Sequence, residues 1–291
     1  MSIDKISSDE YKHLGDVTSI VFLNDHIISA GGDSKIKVWD KDLKFIKDIN
    51  IHEAYIYALA IDKDGRLFSS SCDGTVKIIE KPLESDEYSI LLKHDKEIES
   101  LFVDENNRLY CGDDHGGISI FENLKFKFMM NIVEHVKGLY VEKNFVYSLA
   151  QQDLSIHELR GEKYLMKSSI PGMFPVTLFG DVTDGRSKYI AILTKDGKGI
   201  SVIENGKQYP IVDVCESKHD MIITSIKGFN IFLFSCDYSG KVVKSKMIDG
   251  KLKHIASVIT NSGCANCIQV INDNLLFVGS SDGTIKRINF K

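Results

Sequence analysis

Aspartate, histidine and serine recur along this chain, so acyl transfer is the first chemistry to test. A serine nucleophile needs a base within hydrogen-bond reach and an exposed position, as on a strand-to-helix elbow. No such elbow is read in the sequence, and no catalytic residue is assigned. Cys264 and Cys267 form a Cys-x-x-Cys pair. One pair supplies only two of the four ligands that a structural zinc takes, and no histidine follows it. Residues three apart on a strand point to opposite faces, so both read as core or edge cysteines rather than metal ligands. The glycines of "DGKGISVIENGK", residues 196 to 207, lack phosphate-loop spacing and a following helix. No cofactor and no metal are expected, and the chain reads as a non-enzyme.

The elements that would position these residues are written as a repeat. "AGGDSKIKVWD" (30–40), "SSCDGTVKIIE" (70–80) and "GSSDGTIKRIN" (279–289) are near-copies. Each belongs to a unit of three apolar alternations separated by short turns. Seven units are read, near 17–40, 56–80, 98–122, 136–158, 176–204, 223–247 and 265–290, the fifth with extra residues in its first turn. Aligned on the second turn, they place Asp33, Asp73, His115, Gln151, Gly197, Ser239 and Asp282 at equivalent positions. Period-2 alternation, β-branched residues and Asn, Asp or Gly turns specify strands. Linkers such as "LKFIKDIN", "YSILLKH" and "FKFMMNI" can each supply a fourth. Seven four-stranded units describe an all-β, seven-bladed propeller in one domain spanning 1–291. The seventh unit lacks its own fourth strand, and the extended segment 3–12 is expected to pair with it and close the ring.

The bulk numbers agree with a globular protein. Of 291 residues, 43% are hydrophobic and 26% charged, with a net charge of −5. That charge offers no basic stripe for nucleic acid. No apolar run has the length of a membrane span. The N-terminal "MSIDKISSDEYK" has neither the basic nor the apolar region of a signal peptide. Six cysteines are sparse for a disulfide framework, which points to a reducing compartment, cytoplasmic, nuclear or both. Cys72, Cys111 and Cys236 fall near strand ends and read as small buried residues.

With these features the sequence resembles the WD-repeat family of seven-bladed propellers along essentially its whole length, as a divergent member. Only the first unit ends in a true Trp-Asp pair, Trp39-Asp40. The resemblance implies a hydrogen-bond chain of His13, Ser29, Asp33 and Trp39 in the first blade. In the second blade it implies His52, Ser69 and Asp73, with Ile79 in place of Trp. Asp282 takes the same turn position in the last blade. His94 is a further match, and His219 a looser one. These residues read as structural, because an Asp in a tight turn accepts backbone N–H groups and fixes the turn.

In family members that bind peptides, two slots per blade face the mouth of the central channel. By resemblance they hold Thr18, Tyr57, Glu99, Lys137, Thr177, Thr224 and Asn266, and Gly32, Cys72, Asp114, Ala150, Asp196, Tyr238 and Ser281. Tyr57 and Tyr238 read as aromatic anchors, and Glu99, Asp113, Asp114 and Asp196 as acid, beside Lys137. Aromatics beside carboxylates suit a peptide carrying Lys or Arg. The segment "SSIPGMFPV", 168–176, reads as a loop presenting Met173 and Phe174 on the same mouth. The expected function is a protein-interaction scaffold for a peptide or partner subunit. One alternative is a substrate receptor of a cullin-type ubiquitin ligase, because "HELR", 157–160, occupies the Trp-Asp-x-Arg slot that some members use. A third possibility is a propeller enzyme with a metal or nucleophile in the channel.

Overall fold

The computed structural model describes every residue except 1, 133, 134, 151, 184 and 217. Its strands form seven four-stranded antiparallel sheets, and no helix occurs among the described residues. Six sheets run in simple chain order. The seventh takes its outer strand from the chain's start. The turn position assigned to Gln151 lies outside the described residues.

Local turn chemistry sets each hairpin. Asn24 and Asp25 both adopt positive φ, 46° and 63°, between the first two strands of blade 1. That conformation suits Asn and Asp and matches the twist of the flanking strands. Gly65 and Asn107 take the left-handed position in the corresponding turns of blades 2 and 3. In blade 7, Gly283 has φ +80°, and a Cβ there would lie 2.0 Å from the backbone oxygen of His13. Only glycine lets that turn approach the segment leading into blade 1, where His13 N–H donates to Gly283 O at 3.0 Å.

Seven innermost strands line the central channel: Val17–Leu23, Ile56–Ile61, Ile98–Val103, Gly138–Glu142, Met173–Thr183, Ile223–Phe229 and Ala265–Val270. Each contacts the next, and the last returns to the first. The apolar core lies in seams between successive blades. Ile28, Ile36 and Val38 of blade 1 pack on Ile56 and Leu59 of blade 2, and Phe277 and Ile285 of blade 7 pack on Val17, Ile20 and Trp39 of blade 1. Middle strands therefore lose solvent on both faces, as in Leu67–Ser71, whereas the outermost Ser89–Lys93 stays largely exposed.

The ring closes through Ser2–Ile6, which pairs with Ile285–Asn289 from Ser2 opposite Asn289 to Ile6 opposite Lys286. Ser7 extends the clasp. Its N–H donates to Ile285 O and its Oγ accepts from Ile285 N–H, both at 2.9 Å. The expected strand 3–12 is thus shorter, because the chain turns at Ser8 and stacks Tyr11 on Phe45 at 4.5 Å. A second correction concerns 168–176. It is not a loop but the end of the outer strand Lys163–Pro171 and the start of the inner strand Met173–Thr183, joined at Gly172.

Candidate functional site

Among the described residues, three blades contain a buried Ser-His-Asp chain. In blade 1, His13 Nδ1 lies 2.9 Å from Asp33 Oδ1 and Nε2 2.8 Å from Ser29 Oγ. Trp39 Nε1 donates to the same Ser29 Oγ at 3.0 Å. Trp39 can only donate and an ionised Asp33 can only accept, so the protons run from Trp39 through Ser29 and His13 to Asp33. Burial alone would raise the Asp33 pKa. The His13 hydrogen bond, with N–H donors from Leu14 and Lys35, outweighs it and holds the carboxyl at about 2. Blade 2 repeats the arrangement with His52, Asp73 and Ser69 at 2.9 and 2.8 Å. Desolvation lowers the His52 pKa, only partly offset by Asp73.

These contacts are those of a hydrolase triad, yet they cannot act as one. Ser29 and Ser69 are 0% and 1% exposed, so no substrate carbonyl reaches either hydroxyl. A Gly-x-Ser-x-Gly spacing, overlooked in reading the sequence, does occur at Gly279–Gly283. It ends one strand and begins a hairpin turn, and Ile285–Asn289 follows as another strand, so it is no elbow. Ser281 Oγ there accepts from Cys264 N–H at 3.1 Å.

Blade 6 holds a third chain that the sequence reading had underrated. His219 Nδ1 is 2.8 Å from Asp237 and Nε2 is 2.7 Å from Ser235. Its aspartate stands two residues before the expected turn position, Ser239, whose Oγ donates to Asp237 at 2.6 Å. Asp113 occupies that earlier position in blade 3 and accepts from Gly117 N–H at 2.7 Å and His115 N–H at 2.9 Å. It is 3% exposed and braces a turn instead of facing the mouth. His94 joins no such chain; its Nδ1 accepts from Lys96 N–H. Among the described residues Asp282 accepts only N–H and Oγ1–H of Thr284, at 3.0 and 2.6 Å.

The channel mouth is built by β-bulges. Register breaks between Val17 and Ser19, Ile56 and Ala58, Ile98 and Ser100, Ile223 and Ser225, and Ala265 and Cys267. Each break leaves one residue, Thr18, Tyr57, Glu99, Thr224 or Asn266, outside the ladder, and all five line the mouth. A bulge re-aims a side chain in this way. In blade 5 the break spans Met173 to Val176, so Phe174 and Pro175 reach the mouth. Thr177, assigned there by alignment, is buried and accepts from Gly228 N–H at 3.0 Å. Phe174 fits because Gly138 has no side chain, and a Cβ there would lie 2.7 Å from its ring.

These residues surround a cavity of about 930 Å³. Tyr55 and Tyr57 stack obliquely at 5.1 Å, and Tyr238 stands exposed on the same rim. Tyr57 Oη donates to Glu97 Oε2 at 2.5 Å, and desolvation with that carboxylate pushes its pKa up. Glu99 pairs with His135 at 2.6 Å. Asp16 and Lys137 complete the charged rim. Lys227 also lines the cavity, where desolvation lowers its pKa. Neither Tyr55 nor Lys227 was assigned from sequence. Tyr55 precedes its strand, and nothing in an alternating pattern marks which polar inner residue faces a channel.

Several assigned residues lie elsewhere. Asp114 points to His115 at 2.8 Å, and Asp196 accepts from Thr194 Oγ1 and Lys198 N–H at 2.5 and 3.1 Å; neither lines the mouth cavity. Cys72 is exposed, not buried, and its thiol donates to Glu97 Oε1 at 3.3 Å. Cys267 lines the channel, where burial lifts its thiol to about 12. Among the described residues no group of three or more His, Cys, Asp or Glu could hold a metal ion.

The fold defines a class, the seven-bladed β-propeller, and two stretches of the chain carry a WD-repeat signature. Residues 7–40 and 43–80 match the family described as "WD domain, G-beta repeat". By architecture the chain is similar to the WD40 propeller domain of Doa1, with a TM-score of 0.80 at 15% identity over 99% of this chain and 97% of that one. It is also similar to the computationally designed Ika8 protein, with a TM-score of 0.69 at 17% identity over 96% and 98%. Among curated proteins it is 24% identical over 292 residues to "Putative E3 ubiquitin-protein ligase LIN-1" of Lotus japonicus. It is 26% identical over 289 residues to "Putative E3 ubiquitin-protein ligase LIN" of Medicago truncatula. Each match covers 94% of this chain, which spans only 18% of either relative's length.

Proposed function

We propose that this propeller is a non-catalytic interaction scaffold that holds a peptide or partner subunit at the channel mouth. The observation that carries the reading is the rim itself. Tyr55, Tyr57 and Tyr238 stand beside the carboxylates of Asp16 and Glu99 around one cavity. Aromatic faces and carboxylates together attract a Lys or Arg side chain by cation–π and charge-assisted contacts. Rigid β-bulges pre-position these groups, which lowers the ordering cost of binding. Six free cysteines suit a reducing compartment, and we place the protein in the cytoplasm, the nucleus or both.

The test is partner capture with the triple variant Tyr57→Ala, Glu99→Gln, Tyr238→Ala. All three side chains are at least partly solvent-exposed, so the melting temperature should change little while capture of the wild-type partner set is lost. Undiminished capture would move the site off the mouth.

The named relatives favour a second reading, in which the propeller is the partner-recognition part of a ubiquitin ligase. The cullin-docking slot gives that route little support. His157 of "HELR" is 6% exposed, and Glu158 is engaged by Arg160 and Lys167 at 2.9 and 3.4 Å. Under this reading, removing the propeller lengthens the half-life of a captured partner. An unchanged half-life would exclude it.

A further inference from the structure

On the side of the mouth away from the acidic rim, a separate cavity of about 530 Å³ opens between blades 4 and 5. Its walls are Lys137, Ala150, Gln152, Met173, Phe174 and Lys195. The apolar part is Met173, the 41% exposed ring of Phe174, and the buried Ala150. A thioether and a ring are adaptable, polarisable partners for an inserted apolar side chain. Lys137 and Lys195 are both exposed, and neither ammonium has a hydrogen bond or ion pair among the described residues. Among the described residues no wall residue is a carboxylate. Asp196, the acid next in sequence, directs its carboxylate at Thr194 and Lys198 N–H. The volume falls within the range of pockets that bury one ligand group, roughly 300–1,000 Å³.

We infer that this cavity is a second recognition site, for a large apolar side chain flanked by acidic residues in an extended peptide. The apolar wall takes the side chain, and the two unpaired ammonium groups take the flanking carboxylates. Charge complementarity selects this occupant, since a basic peptide would meet two cations with no acid to receive it. Lys137 and Phe174 line both cavities, so the two sites are continuous. The mouth as a whole is then polarised, acidic over blades 1 to 3 and basic over blades 4 and 5. The inference extends the peptide-binding reading but does not rest on the tyrosines and carboxylates of the acidic rim.

The test uses the intact protein labelled at its methionine methyl groups, with the Met173 signal assigned through Met173→Leu. Three probes are titrated at low ionic strength: Ac-Glu-Phe-Glu-NH2, Ac-Lys-Phe-Lys-NH2 and Ac-Glu-Ala-Glu-NH2. The first should shift the Met173 methyl, and the other two should not. The double variant Lys137→Gln, Lys195→Gln should weaken the first peptide about tenfold, the product of two exposed ion pairs. The remaining methionine signals report that its fold is kept. The mouth variant Tyr57→Ala, Glu99→Gln, Tyr238→Ala should bind this probe normally, which separates failure here from failure of the acidic rim. No Met173 shift at millimolar peptide, an equal shift with the lysine peptide, or unchanged affinity in the double lysine variant would each overturn the inference.

Discussion

Replacing Asp33 by alanine should cost far more than the same change at Asp282, although both aspartates occupy the same turn position. Asp33 receives His13 Nδ1 at 2.9 Å, Leu14 N–H at 2.9 Å and Lys35 N–H at 3.2 Å. Leu14 is exposed and its amide can turn to water, but His13 is 1% exposed and would be left with an unpaired ring nitrogen. A stranded buried donor costs about 1–3 kcal/mol, and loss of the charged acceptor adds to it, so about 3 kcal/mol is expected. Asp282 accepts only from Thr284, and its loss should cost about 1 kcal/mol. At roughly 2–3 °C per kcal/mol for a chain of this size, the melting temperatures should fall by about 6–9 °C and about 2–3 °C. Acidity supplies a second readout. Asp33 titrates at about 2 when folded, below its ordinary 3.8. A depressed folded pKa stabilises the fold above the unfolded pKa, and that advantage fades as pH falls from about 4 to about 2. The Asp33→Ala penalty should shrink by about 2 kcal/mol across that window. Chemical denaturation at pH 7 and across the acid range measures both quantities. Equal penalties at the two positions, or a pH-independent Asp33 penalty, would refute the argument.

Three further outcomes are expected. His219→Leu should destabilise by about 2–3 kcal/mol in urea titration, because it takes the His219 donor from the buried Oδ2 of Asp237, while Ser239 and Lys241 still serve Oδ1; a neutral result would remove blade 6 from the buried chains. Deleting residues 2–7 removes the clasp and the packing of the partly buried Ile3, and should lower the melting temperature by at least 5 °C, with loss of a single cooperative transition. Under native conditions a thiol reagent should modify exposed Cys72 first, and slowly, because the Glu97 hydrogen bond raises its pKa. Burial raises the thiols of Cys111 and Cys236, which should react only after unfolding.

Periodicity made the seven sheets legible, because strands of a propeller alternate between seams and short turns carry visible Asn, Asp and Gly. The blade 1 and blade 2 chains were legible for the same reason, since their His, Ser and Asp keep fixed offsets from the turn. Blade 6 escaped because Asp237 reaches its histidine from two residues earlier, a substitution of place that leaves the contact intact. Blade 5 misled because an inserted bulge residue shifts which side chain turns outward, so that Phe174 and not Thr177 meets the mouth. Alternation encodes the face of a strand, but a bulge resets the count, and a single sequence does not announce where. Asp113, Asp114 and Asp196 were grouped by position alone, and their carboxylates had closer donors within their own turns.

Ser2 stands directly across the last blade from Asn289, so the two ends of the circle emerge side by side. Any polypeptide joined to one end would depart from the same spot as one joined to the other. In a longer chain the propeller would hang as a pendant on a narrow stalk, adding a recognition head without lengthening the distance between its flanking segments.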